Sequence, residues 1–266
     1  MKLFILLFTL LLISSCDNGK SLAELCKDNP KICQEFGQDS WCKRERVDVS
    51  LSRIALKNTE KDSDKYKLLI AYENYIDCMG LASQIQHIKL KEKTTMRKDN
   101  LFKAQDKLST LAQQTVKSSH PHLLYYHWSR DLNEQSLTQF LALEGSTQLE
   151  NSISQFQLAT YYAKKDKNKT LRLLFHSLEL HQPNEKIIPE VFETLVTTFI
   201  NRDQPKQAYI WLKVYQLVSK RKNKNRIKLQ LKQYQNAYDL DVEFLDKVAN
   251  NTLDNINNGK FKAPKH

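Results

Sequence analysis

Five cysteines and seven histidines carry most of the reactive potential of this 266-residue chain. Four of the cysteines, Cys26, Cys33, Cys42 and Cys78, fall in one region and could hold zinc or form disulfides. Structural zinc sites draw on cysteine pairs about two to four residues apart. The gaps between Cys26 and Cys33 and between Cys33 and Cys42 are wider than that. Disulfides are therefore the expectation, and helix geometry selects the pairing. Ser40–Lys57 and Asp64–Leu90 read as amphipathic helices joined by the polar stretch Asn58–Ser63. Cys42 and Cys78 stand equally far on either side of position 60, so antiparallel helices place them opposite one another. This predicts Cys42–Cys78, with Cys26–Cys33 closing the Lys27–Pro30 turn. A bridge spanning a loop of ~37 residues would contribute roughly 4 kcal/mol by the chain-entropy account.

The histidines invite a metal reading that their positions argue against. His176 and His181 could join His120, His122 and His127, but metal ligands usually share one face, whereas His120 and His122 flank Pro121 in a turn and His127 occupies an aromatic core position of a repeat. No metal and no cofactor are expected. Gly19, Gly37, Gly80, Gly145 and Gly259 are too dispersed to form a phosphate-cradling loop, and neither H-E-x-x-H nor G-x-S-x-G occurs. Carboxylates such as Glu144 and Glu150 are plentiful, but nothing marks a pair for acid–base work. Helical envelope enzymes that cleave peptidoglycan with one glutamate surround it with glycine- and serine-containing motifs, which are missing here. A non-enzymatic role is the expectation, with a peptidoglycan-active enzyme or accessory factor as the alternative.

The start of the chain sets the compartment. Lys2 and the apolar run Leu3–Leu11 lead into Leu12-Ile13-Ser14-Ser15-Cys16. The apolar stretch is shorter than the ~20 residues needed to cross a bilayer, and has the length of a secretory h-region. Its end resembles the lipobox of bacterial lipoproteins. That resemblance implies cleavage after residue 15 and acylation of Cys16, which would become the point of attachment to the lipid bilayer; two or more acyl chains anchor durably where one does not. Asp17 resembles the signal that retains lipoproteins in the inner membrane, which favours that membrane over the outer one. The expected location is the periplasmic side of the envelope, an oxidising compartment where disulfides persist.

Few glycines and prolines and abundant Leu, Lys, Gln, Ala and Glu favour helix throughout. Leu25-Cys26, Pro30, Ile32-Cys33, Trp41-Cys42, Arg44, Arg46 and Arg53 resemble a family of uncharacterised bacterial lipoproteins defined as a domain of unknown function, and the likeness continues through Tyr161-Tyr162 to about residue 220. The resemblance implies anchoring and a helical-repeat body, and carries no catalytic or binding residue with it.

An internal repeat supports such a body. Leu158-Ala159, Tyr162, Asp166, Leu171, Phe175 and Leu178 recur as Leu195-Val196, Phe199, Asp203, Ala208, Leu212 and Tyr215, a uniform shift of 37 residues from 158 to 195. A fainter copy, Leu123-Leu124, His127, Asp131, Phe140 and Leu143, precedes it at a shift of 35, with Ser136 or Leu137 at its close-packing site. Neither helix of such a pair buries its apolar stripe alone, so neighbouring pairs must stack. The pattern is similar to tetratricopeptide and Sel1-like repeats, although the period exceeds the tetratricopeptide's roughly 34 residues. The expected architecture is all-α: helical hairpins stacked as a short tetratricopeptide-like solenoid behind an N-terminal disulfide-linked hairpin. Its divisions are a signal peptide (1–15), a lipidated tether (16–21), a disulfide-containing helical region (22–117), repeats (118–218), C-terminal capping helices (219–254) and a flexible basic tail (255–266).

On such a solenoid a ligand groove would lie along the first helices, where Thr160, Lys164, Thr197 and Asn201 would project. Trp41, Trp128, Trp211 and the pairs Tyr125-Tyr126 and Tyr161-Tyr162 read as fillers between helices. The formal charge of +11 has its densest cluster at Lys220–Lys228. Export makes nucleic acid an unsuitable partner; anionic lipid headgroups near the anchor suit the charge better. The leading expectation is an interaction module for an envelope protein or peptide, and the basic binder of anionic lipids is a further alternative.

Overall fold

The computed structural model describes residues 20–183, 185–219 and 221–264, so Cys16 and the signal segment lie outside the described residues. Among these are thirteen α-helices and one short 3₁₀ turn, packed as paired hairpins. None of the described helices is long and apolar enough to cross a membrane. The chain divides after Ser118 into two compact units.

The first unit holds α1 (Leu22–Asp28), α2 (Pro30–Cys33), α3 (Lys43–Thr59), α4 (Asp62–Ser83) and α5 (Lys91–Thr115). Ser21 starts α1 through a reciprocal capping box: its hydroxyl accepts from the Glu24 N–H while its own N–H donates to the Glu24 carboxylate at 2.7 Å. Pro30 occupies the first position of α2, where a missing N–H costs nothing. Helices α3 and α4 turn back on each other at Glu60, which takes a left-handed φ of 53°. Disulfides join Cys26 to Cys33 and Cys42 to Cys78, the pairs that the spacing selects. The second bridge ties the start of α3 to the last third of α4.

One expected boundary moves: α4 stops at Ser83 instead of running to Leu90, and α5 begins at Lys91. Arg97 on α5 braces the end of α4, its guanidinium donating at 2.9 Å to the Ala82 carbonyl, which also accepts the Ile85 N–H. The chain then reverses so that α5 lies antiparallel to α4. The buried face of α5 is Arg97, Asn100, Ala104, Leu111 and Thr115, so three polar residues share its seam with two apolar ones, while Val116 is exposed.

The second unit holds α6 (Pro121–Asp131), α7 (Glu134–Ala142), α8 (Ser152–Tyr162), α9 (Lys167–Glu179), α10 (Pro189–Ile200), α11 (Pro205–Val218), α12 (Arg221–Tyr238) and α13 (Val242–Asn257). Pairs α6/α7, α8/α9 and α10/α11 are hairpins, and α11 also packs against α12 and α13. Every apolar repeat position is buried or half-buried. The aspartates of the repeat are not equivalent. Asp166 caps α9, accepting from the Asn168 and Lys169 N–H groups; Asp203 takes a left-handed φ of 53°, one residue before the cap. Asp131 instead accepts a hydrogen bond from Nδ1 of the buried His127 ring at 2.9 Å. The packed positions keep register while the turns between them differ in build. Arg202 links successive turns by donating to the Lys167 carbonyl at 3.2 Å and to Asn168 Oδ1 at 2.6 Å.

The end of the chain corrects the expectation of a flexible tail. Helix α13 runs to Asn257 and is closed by Gly259 at a φ of 63°, with the Lys260 N–H donating back to the Asn255 carbonyl. Phe261 then enters the core of the second unit, its ring centroid 6.2 Å from Phe175 and 6.1 Å from Trp211. The Ala263 N–H donates to Glu179 Oε1 at 2.8 Å. One apolar residue in a basic stretch suffices to fix it, because burying a phenylalanine is worth about 2 kcal/mol or more. The terminal helices and Phe261 thus share one core with α9, α10 and α11.

Candidate functional site

Among the described residues, no group of three or more His, Cys, Asp or Glu side chains could hold a metal ion. His127 is buried against Asp131, His181 is buried near Glu185, and His176 lies between two carboxylates, with Nε2 2.9 Å from Glu150 and Nδ1 3.5 Å from Glu179. Burial pushes the His181 ring below its ordinary value, against the pull of Glu185.

The most distinctive surface arrangement is aromatic. Helix α6 presents Tyr125 and Trp128 one turn apart, and α8 ends with Tyr161 and Tyr162; all four rings are half-buried. Tyr125 meets Trp128 edge-on at 5.4 Å, Trp128 meets Tyr161 at 5.5 Å, and Tyr161 meets Tyr162 at 4.9 Å. The edge-to-face geometry is the one ring quadrupoles favour. Two ammonium groups sit over the far end of this strip: Lys165 Nζ lies 3.7 Å from the Tyr161 centroid, and Lys169 Nζ lies 3.7 Å from that of Tyr162. Each such contact contributes ~0.5–1 kcal/mol at an exposed site.

Glu144 ties the strip together. It accepts from the Tyr162 hydroxyl at 2.7 Å and pairs with Lys169 at 2.5 Å. Partial burial pushes the Glu144 carboxyl up, but the hydrogen bonds from Lys169 and Tyr162 outweigh it and hold the group below the usual carboxylate range. It is therefore a fixed anion at neutral pH, unlike the raised carboxyl that general-acid work requires. Burial also raises Tyr162 and Tyr125, keeping both hydroxyls protonated. Such a strip offers ring surface for stacking and ammonium groups beside it for charge pairing.

Thr160, Lys164, Thr197 and Asn201 are all exposed. Thr160 directly precedes Tyr161 of the strip, its hydroxyl donating to the Phe156 carbonyl of its own helix, and Lys164 precedes Lys165 in the α8–α9 turn. Thr197 donates to the Glu193 carbonyl of its own helix, and Asn201 caps that helix. The structure thus brings one of the four to the strip. Of the rings expected as fillers, Tyr126 and Trp211 are buried, whereas Tyr125, Trp128, Tyr161 and Tyr162 are half-buried. Trp41 is a second departure: it is 57% exposed and lies over the Arg97 guanidinium at 5.6 Å. The cue to the strip was available in the sequence as Tyr161-Tyr162 followed by Lys165 in the turn and Lys169 in the first turn of the next helix.

Fold and site define a disulfide-stapled, all-helical protein of paired hairpins whose distinctive chemistry is an aromatic strip with two lysines and a fixed glutamate. The chain belongs to the family described as protein of unknown function (DUF2989), which matches residues 13–213. Comparison with curated proteins and with solved structures finds no match. The two disulfides point to an oxidising, extracytoplasmic environment.

Proposed function

We propose that the mature chain is a lipoprotein, acylated at Cys16 on the periplasmic side of the bacterial envelope, that acts as a non-enzymatic docking module for a protein or peptide. The aromatic strip from Tyr125 to Tyr162 is the observation that carries this reading. Its rings present large contact area at low entropic cost, and Tyr, Trp and cationic residues are the usual anchors of protein interfaces. The suitable partner is a peptide segment with apolar side chains for the rings and a carboxylate for Lys165, since Lys169 is already paired with Glu144. The hairpins of the second unit, read as a tetratricopeptide-like stack, provide the rigid frame such a surface needs.

A photo-crosslinking residue at Tyr161 tests this in cells, with the same residue at Thr197 as the reference. One partner captured from Tyr161, and lost in Trp128→Ala, is expected. Equal capture from both positions, or turnover of purified peptidoglycan that one carboxylate substitution abolishes, would overturn the reading. Acylation is tested separately by labelled palmitate, which should enter the protein and be absent from Cys16→Ser.

A further inference from the structure

The segment joining α4 to α5, residues 84–90, combines features that neither the disulfide region nor the aromatic strip explains. Ile88 is 90% exposed, Leu90 52% and Leu81, at the end of α4, 59%. Lysines alternate with these aliphatics in Ile88-Lys89-Leu90-Lys91, and Lys93 and Lys98 follow on α5. Among the described residues, no carboxylate lies within ion-pairing distance of Lys89, Lys91 or Lys98. Beside Ile88 is an open cleft of about 470 Å³ lined by His87, Lys91, Thr94, Thr95 and Lys98. The last four are spaced to share one face of α5.

The segment is held in place. Thr94 Oγ1 accepts the His87 N–H at 3.1 Å and donates to the Ile85 carbonyl at 3.5 Å, while Arg97 fixes the Ala82 carbonyl just before it. An aliphatic tip that is exposed, fixed in shape and flanked by lysines matches the layered chemistry of a bilayer surface. Acyl chains accept the aliphatic tip, and phosphates, lying slightly farther out, meet the ammonium groups. A second copy of this chain fits poorly, because it would bring the same lysines together.

We propose that residues 84–90 with Lys91 and Lys98 form a docking site for an anionic phospholipid surface, with Ile88 and Leu90 entering the headgroup–acyl boundary and the cleft receiving a lipid phosphate. The site rests on its own residues and stands whether or not the aromatic strip binds a peptide.

The test places a reporter at the tip, as Ile88→Trp, in the mature chain from residue 16 onward carrying Cys16→Ser, so that neither an acyl chain nor the apolar leader contributes. The parent with Ile88 supplies the background from the three native tryptophans. Vesicles contain brominated acyl chains, either in phosphatidylcholine alone or in equal parts phosphatidylcholine and phosphatidylglycerol. The expected result is a blue shift and quenching of the introduced indole that grows on anionic vesicles. Lys91→Gln with Lys98→Gln should raise the anionic lipid needed for half-quenching ~30-fold, from about 1 kcal/mol per basic residue near such a surface. Quenching that is equal on both vesicles and unchanged in the lysine variant would overturn the proposal. So would an indole that responds to inorganic phosphate or to an added acidic protein but is not quenched on anionic vesicles.

Discussion

Arg97 and Asp39 form an ion pair inside the first unit, their side chains 2% and 1% exposed, although 58 residues separate them in the chain. The Asp39 carboxylate also accepts the Trp41 N–H at 2.9 Å, and Arg97 also holds the Ala82 carbonyl. One guanidinium therefore joins the segment before α3, the end of α4 and the start of α5. Removing one partner strands a buried charge, so Arg97→Met should destabilise the first unit by ~3–5 kcal/mol. Urea unfolding followed by hydrogen exchange of α5 amides measures this loss.

The same pair predicts an acid response. The Arg97 hydrogen bond holds the Asp39 carboxyl below its ordinary value of 3.8, with burial opposing and the Trp41 N–H assisting. A depressed carboxyl contributes stability that is present above its unfolded value and is lost as pH falls through its folded one. Unfolding midpoints of the wild-type chain should therefore drop as pH falls below about 4. In Asp39→Asn this component of the pH dependence should be missing.

Loss of the two disulfides should have unequal effects. Replacing Cys42 and Cys78 by serine releases a long loop and should cost roughly 4 kcal/mol, whereas replacing Cys26 and Cys33 releases a short one and should cost about 2 kcal/mol. Urea midpoints of the two double variants, with a non-reducing peptide map of the parent, check both the ranking and the pairing.

Phe261→Ala should destabilise the second unit by ~3 kcal/mol, since it empties a site packed by Phe175 and Trp211. Ending the chain after Lys260 should have the same effect. Emission from Trp211 should shift to the red in both, and a tail that contributes nothing would leave it unchanged.

Leu132 holds a left-handed φ of 54° at the end of α6 while 75% exposed. A leucine there bears a steric cost with little burial in return, so Leu132→Gly should raise stability by about 1 kcal/mol. Thermal unfolding reads the sign directly.

How legible these features were depended on whether the signal was local. Cys42 and Cys78 could be paired because two helices and a polar turn reduce the question to counting residues from position 60. The apolar repeat from Leu123 to Tyr215 was readable for a similar reason: period and side-chain type are both properties of adjacent sequence. The Arg97–Asp39 pair was not, because a buried arginine looks like any surface arginine until its distant partner is known. Phe261 was missed because composition averaged over a basic segment hides one aromatic ring. The aromatic strip lay between these cases: its members were all noticed, but whether a tyrosine edge faces a neighbour or water is decided by the offset between hairpins, which helical periodicity does not encode.

The closing position of Phe261 also orders events as the polypeptide is made. Synthesis delivers a chain from its front end, so α9 and α11 form with the Phe175 and Trp211 faces unsealed. The core of the second unit closes only after α13 and Phe261 have followed. Until then its helices are joined by an incomplete interior, and the full resistance of this unit to unfolding comes late.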